Sequence, residues 1–177
     1  MMPVVVTLAA HSDTGKTTYL EKLIPHLKTA GLRVAVIKHD GHDFQMDREG
    51  KDTWRFAQAG ADAVAIASAA KFALCRQHPV GLEDIVNQLS DMDLILTEGY
   101  KTGPYPKIAL FRAASGKDLA AEPPDCIAIV SDVPLEAGCP VFPLDDPAPL
   151  AAFLLQRVLT AKHKSNLERI KHHGNLC

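Results

Sequence analysis

Ala10-His11-Ser12-Asp13-Thr14-Gly15-Lys16-Thr17-Thr18 follows directly on the apolar run Pro3–Ala10. Val4, Val5, Val6 and Leu8 suit a buried strand, while Leu20, Leu23, Ile24 and Leu27, with Gly31 as a stop, mark an amphipathic helix. A glycine-containing turn between such a strand and such a helix is the context a phosphate-binding loop requires. Backbone N–H groups of His11 to Lys16 can curl around phosphate oxygens at the helix N-terminus. Lys16 can reach the β and γ phosphates, and Thr17, with Thr18 behind it, can hold Mg²⁺. One position departs from G-x-x-x-x-G-K-[ST]. Ala10 stands where the first glycine is usual, so it must avoid positive φ or carry strain of about 1–2 kcal/mol.

Outward from this junction the chain keeps alternating. Arg33–Lys38 reads as a strand ending in Lys38-His39-Asp40-Gly41-His42, and a polar loop continues to about Lys51. Asp52–Ala59 reads as helix, Ala63–Ser68 and Lys71–Cys75 as strands, and Leu82–Leu89 as helix. The strand Asp93–Thr97 runs into Glu98-Gly99-Tyr100-Lys101, and a loop punctuated by Gly103, Pro104 and Pro106 leads to the strand Lys107–Arg112. After the polar segment Ala113–Asp125 come strands Cys126–Val130 and Pro140–Phe142 and a last helix, Ala148–Thr160. The pattern predicts an α/β fold of the P-loop NTPase type, a largely parallel sheet flanked by helices. Residues 1–160 make one nucleotide-binding domain in this reading, and 161–177 a basic, polar tail, partly helical or disordered. Lys162, Lys164, Arg169 and Lys171 read as a solvated face of that tail.

Bulk properties narrow the function classes. The 177 residues carry 19 basic and 21 acidic side chains, a net charge of −2, so no overall field favours nucleic acid or a membrane surface. Cys75, Cys126, Cys139 and Cys177 include no C-x-x-C pair, which fits reduced thiols in the cytoplasm, with Cys126 and Cys139 packed as small apolar groups. No apolar run is long enough to span a bilayer.

Nucleotide chemistry needs a carboxylate near the metal. Glu98, at a strand end, is placed to hold Mg²⁺ or a water bound to it, against the plainer alternative of a surface ion pair. Asp40 also follows a strand and can contact Mg²⁺ through water or orient the attacking water. His39 and His42 lack the further ligands a zinc site needs, which leaves phosphate or partner contact. Lys51, Arg55 and Lys101 can meet a second anion or remain solvated, and Trp54 suits core or interface better than base stacking. Asp132, just after Cys126–Val130, can accept both N–H groups of a guanine edge. No Asn-Lys-x-Asp signature occurs, so these residues leave GTP and ATP open. Arg48, Arg55, Arg76 and Arg112 are scattered, with no evident arginine finger.

Four ordered segments resemble the MobB family, the molybdopterin-guanine dinucleotide biosynthesis adapter proteins, over roughly Val4 to Leu159. They are His11-Ser12-Asp13-Thr14-Gly15-Lys16-Thr17-Thr18; Val36-Ile37-Lys38-His39-Asp40 with His42; Gly50-Lys51-Asp52-Thr53-Trp54-Arg55 with Ala59-Gly60-Ala61; and Thr97-Glu98-Gly99-Tyr100-Lys101 with Pro106-Lys107-Ile108. The departures are Ala10 for glycine, Gly41 where histidine is common, and the tail from Lys162. The resemblance implies a homodimer that binds GTP with Mg²⁺, hydrolyses it weakly, and assists the molybdenum cofactor guanylyltransferase in joining GMP to molybdopterin. It further implies Gly15, Lys16 and Thr17 on phosphates and metal, Glu98 and Asp40 around Mg²⁺, and Asp132 facing guanine. Lys51, Arg55 and Lys101 would contact molybdopterin or the partner enzyme, and molybdoenzymes or molybdopterin carriers are further partners of the protein that the resemblance implies. An ATP-dependent small-molecule kinase and a non-hydrolysing nucleotide-bound module are the alternatives.

Overall fold

A computed structural model describes residues 2–121 and 125–174, with side chains placed as far as residue 168. Cys177 and the side chains of Arg169 and Lys171 lie outside the described residues. In chain order the elements are β1 (Val4–Ala9), α1 (Lys16–Thr29), β2 (Val34–Lys38), α2 (Asp52–Gln58), β3 (Ala63–Ala67), β4 (Phe72–Arg76), α3 (Leu82–Gln88), β5 (Leu94–Glu98) and β6 (Lys107–Phe111). A 3₁₀ turn (Ala113–Ser115), β7 (Cys126–Ser131), β8 (Val141–Pro143) and α4 (Ala148–Gly174) complete them.

Residues up to His39 and from Val86 onward form one compact unit, and Asp40–Ile85 a second. In the larger unit β2-β5-β1-β6-β7-β8 make one sheet with every pairing parallel. β1 and β5 are buried almost throughout, without alternation, because elements cover both faces of a central parallel strand. On one face Val6, Leu8, Leu94, Leu96, Ile108, Leu110 and Val130 meet Leu20, Leu23 and Leu27 of α1 and Leu150, Leu154 and Val158 of α4. On the other, the hydroxyls of Thr7 and Thr97 bond across the central strand pair at 2.8 Å, which lets two polar side chains sit fully buried. Cys126 and Cys139 belong to a smaller apolar cluster with Ala109 and Ile129, and burial, with Cys126 alongside, pushes the Cys139 thiol up, so both act as small apolar groups.

α1 ends in a Schellman arrangement, Gly31 N–H donating to the Lys28 carbonyl and Leu32 N–H to the Leu27 carbonyl, which satisfies carbonyls the helix leaves free. At the end of the sheet opposite the His11–Gly15 loop, Asp93 ties three elements together. Its carboxylate accepts from Arg33 N–H at 2.7 Å and pairs with Lys162 Nζ at 2.9 Å and Arg33 Nε at 3.5 Å. α4 therefore does not stop at Thr160; it runs on to Gly174, and the bridge to Asp93 anchors its continuation. No described helix is long and apolar enough to cross a membrane.

The smaller unit departs from the simple alternation read in the sequence. β3 and β4 do not join the parallel sheet but pair with each other as an antiparallel ribbon, Ala63 opposite Arg76 and Ala67 opposite Phe72. Two strands this close in sequence have no crossover between them and can only meet antiparallel. α2 packs near β3, with Trp54 half-buried on it, but no residue from Asp40 to Ile85 is fully buried.

Candidate functional site

The chain leaves β1 to one side for β2 and α1 and later returns to the other side for β6, so the C-terminal end of β1 is a topological switch point. The loop His11–Gly15 stands there. Thr14 is buried and its hydroxyl donates to the His11 carbonyl at 2.8 Å, closing the loop on itself. Asp13 takes φ 67° and Gly15 φ 86°, and Ala10 is not among the residues of positive φ. The alanine in place of the usual glycine is thus unstrained, the reversal being placed at Asp13 and Gly15 instead. Gly15 caps α1 with no side-chain hydrogen bond, and the first turn has no acidic residue, so the helix N-terminus faces outward without a protein anion. His11 is half-buried, and Ser12, Asp13, Thr17 and Thr18 are exposed around it.

Lys16 is engaged in an ion pair. Its ammonium lies 3.3 Å from Glu98 Oε1, and the two side chains are only 16% and 15% exposed. The physical reason is register: β5 pairs directly with β1, so Glu98 ends level with Leu8, close beneath the start of α1. The next residue, Gly99, has φ 96°, and a Cβ there would stand 2.6 Å from the His39 carbonyl oxygen. Only glycine permits this approach, in which His39 N–H donates to the Glu98 carbonyl at 2.8 Å and the His39 ring lies 4.8 Å from that of Tyr100. The ends of β2 and β5 are locked side by side beside the loop. Lys101 follows, exposed.

An open cleft of about 520 Å³ is lined among others by Lys22, Arg112, Ser131, Asp132, Phe142 and Asp145, and Arg112 connects it to the loop. Asp132 thus faces a concavity, as the sequence reading of a base-reading carboxylate requires. Its Oδ1 accepts from Ala113 N–H at 2.8 Å, and Ser131 Oγ donates to the Val133 carbonyl at 2.7 Å, fixing the turn after β7. Two cations not singled out from the sequence reach the loop here. Arg112 Nε donates to the Thr14 carbonyl and Lys117 Nζ to the Ser12 carbonyl, each at 3.2 Å. The signal for Arg112 in the sequence is its place at the end of the strand read over Lys107–Arg112, where it is one of several arginines spread along the chain.

Asp40, His42, Lys51 and Arg55 belong to the smaller unit. There Asp40 Oδ1 accepts from His42 N–H at 3.3 Å, a turn that uses one oxygen, while Lys51 caps the start of α2 and Arg55 lies in its last turn, both exposed. Among the described residues no three of His, Cys, Asp and Glu gather as a metal cage.

Comparison with known proteins bears on the family and the fold. The chain is 41% identical over 133 residues to a molybdopterin-guanine dinucleotide biosynthesis adapter protein of Haemophilus influenzae, covering 73% of this chain and 75% of that one. To the Escherichia coli protein of the same description it is 38% identical over 165 residues, 88% and 93% of the two chains. A crystal structure of molybdopterin-guanine biosynthesis protein B superposes with a TM-score of 0.69 at 28% identity, covering 88% of this chain and 99% of that one. Residues 5–132 match the profile of the family described as molybdopterin guanine dinucleotide synthesis protein B, and the chain belongs to that MobB family.

Proposed function

We propose that the chain is an adapter in molybdopterin guanine dinucleotide biosynthesis that binds GTP with Mg²⁺, hydrolyses it slowly and assists the guanylyltransferase of that pathway. The observation that carries the proposal is the continuous arrangement of phosphate loop, Lys16–Glu98 pair and cleft with Asp132 around the switch point. Lys16 is held by the Glu98 carboxylate, with which an arriving phosphate would compete for the ammonium. Thr17 supplies a hydroxyl and Glu98 a carboxylate, hard oxygen donors that suit Mg²⁺, and a bound magnesium would neutralise charge on the β and γ phosphates. Asp132 keeps one oxygen free of its turn for a guanine edge. Asp40 serves the attacking water or the metal shell, His39 and His42 meet a second anion or the partner, and Lys51, Arg55 and Lys101 meet molybdopterin or the partner enzyme.

The proposed working form is a homodimer. A unit of this size with no fully buried side chain, showing Phe56, Ile66, Phe72 and Leu74 at the surface, gains its missing cover from a second copy.

Calorimetric titration of the purified chain with GTP and with ATP, each with and without Mg²⁺, tests the reading. Preference for GTP with Mg²⁺ is expected, and Lys16→Ala in a folded protein should weaken it at least about a hundredfold. Preference for ATP would move a kinase ahead and take Asp132 out of the site; unchanged affinity in Lys16→Ala would remove the phosphate-loop assignment.

A further inference from the structure

We infer that Arg112 and Lys117 form a cationic clamp on the nucleotide phosphates nearest the base, an inference that rests on the nucleotide reading above. Lys16 and Glu98 occupy the β5 side of the loop, whereas Arg112 and Lys117 reach it from the β6 side. Each rests on a neutral backbone carbonyl, Thr14 for Arg112 and Ser12 for Lys117. Neither has a carboxylate within ion-pair distance among the described residues. A guanidinium carries five donors in a rigid fork and one of them is engaged here, so an arriving phosphate gains charge-assisted bonds at little cost in ordering.

Position selects which phosphates these are. Arg112 Nη2 lies 3.0 Å from where a Cβ would stand on Gly15, over the N-cap of α1, and the same side chain lines the cleft with Ser131 and Asp132. A cation that touches both the phosphate loop and the base cleft meets the part of the ligand joining them, the α and β phosphates, which di- and triphosphates share. An arginine finger for hydrolysis would instead stand by the γ phosphate, on the Lys16–Glu98 side.

The clamp is tied to base recognition through one turn. Asp132 Oδ1 holds the N–H of Ala113, the residue after Arg112, and Ser115 Oγ donates to the Arg112 carbonyl at 2.7 Å. The carboxylate that faces the base thus also carries the backbone that aims the cation at the phosphates.

Titration of the full chain with GTP and GDP, for wild type, Arg112→Gln, Arg112→Lys and Lys117→Gln, tests the clamp. Glutamine keeps an amide donor for the Thr14 carbonyl and removes the charge, whereas lysine keeps the charge. Arg112→Gln should bind GTP and GDP about tenfold more weakly, both alike, with Arg112→Lys recovering most of the loss. Lys117→Gln, a change at an exposed side chain that leaves the fold intact, should weaken both about threefold and flatten the salt dependence. Wild-type affinity in Arg112→Gln, or a loss confined to GTP, overturns the clamp while leaving the nucleotide reading in place. If Arg112→Gln does not fold, unchanged GDP affinity in Lys117→Gln overturns it. A wild-type chain that binds neither nucleotide overturns the nucleotide reading and the clamp with it.

Discussion

Leu94-Ile95-Leu96-Thr97 and Ala63-Val64-Ala65-Ile66 are both short apolar strings, yet the four residues of the first are completely buried, whereas in the second Val64 is half-buried and the other three are exposed. The difference lies in what each strand has beside it. β5 has β1 and β2 as neighbours and is covered on both faces, whereas β3 has only β4 in a two-stranded ribbon. Two strands cannot enclose a core by themselves. The larger unit therefore holds the stability, and the smaller one holds exposed apolar surface and most of the polar residues expected to meet a partner.

Substitutions can break this contrast or sharpen it. The largest effect is expected for Leu96→Ala, which removes a side chain from the densest part of the sheet and should cost about 2–5 kcal/mol in chemical denaturation. A cost below about 1 kcal/mol would mean that the core is looser than its burial indicates. Next comes Asp93→Asn. Burial pushes the Asp93 carboxyl up, but hydrogen bonds from Lys162 and Arg33 outweigh it and hold the group at about 2. A carboxyl with a depressed folded-state pKa adds stability that is present above about pH 4 and fades as the pH falls toward 2. Because both partners are partly exposed, the contribution is about 1–2 kcal/mol. The asparagine variant should lose that amount at neutral pH and converge with wild type near pH 2; parallel pH profiles would remove the role assigned to the bridge.

Smaller still is the effect expected for Tyr19→Phe. The Tyr19 hydroxyl is buried without a hydrogen-bond partner among the described residues, and burial, with Asp146 adding, pushes the phenol well above its ordinary range. Removing an unpaired polar atom should leave the melting temperature unchanged or raise stability by up to about 1 kcal/mol. A clear loss would reveal a partner for the hydroxyl. The least change in fold stability is expected for Phe72→Asp in the ribbon, within about 0.5 kcal/mol, since Phe72 is 66% exposed. With the homodimer proposed above, wild type is expected to sediment as a dimer and this variant as a monomer, and an unchanged sedimentation coefficient would remove the ribbon as the dimer contact.

Much of the larger unit is legible along the chain because its signals are local. The apolar string Val4–Ala9, the glycine before Lys16, the apolar spacing of α1 and the carboxylate ending β5 all sit within a few residues of what they control. What was misread depends on residues far apart. Arg112 looks like one arginine among several until β6 is laid beside β1 and its guanidinium meets Thr14. Lys16 looks solvated until Glu98, 82 positions later, arrives next to it. The continuation of α4 beyond Thr160 depends on Asp93, whose partners Arg33 and Lys162 lie 60 and 69 positions away. β3 and β4 look like further members of the parallel sheet because an apolar run of five residues carries no mark of which strand it will pair with.

The sequence by itself determined most of the elements, the glycine-containing junction between β1 and α1, and the family, since strand and helix periods, turn residues and an ordered set of motifs are properties of neighbouring positions. Tertiary structure decided which charges face the loop, that Asp132 supports the backbone of Arg112, and which apolar strings are buried. The physical reason is that a hydrogen bond, an ion pair or a buried face needs a second surface, and only the folded chain brings that surface within a few ångströms.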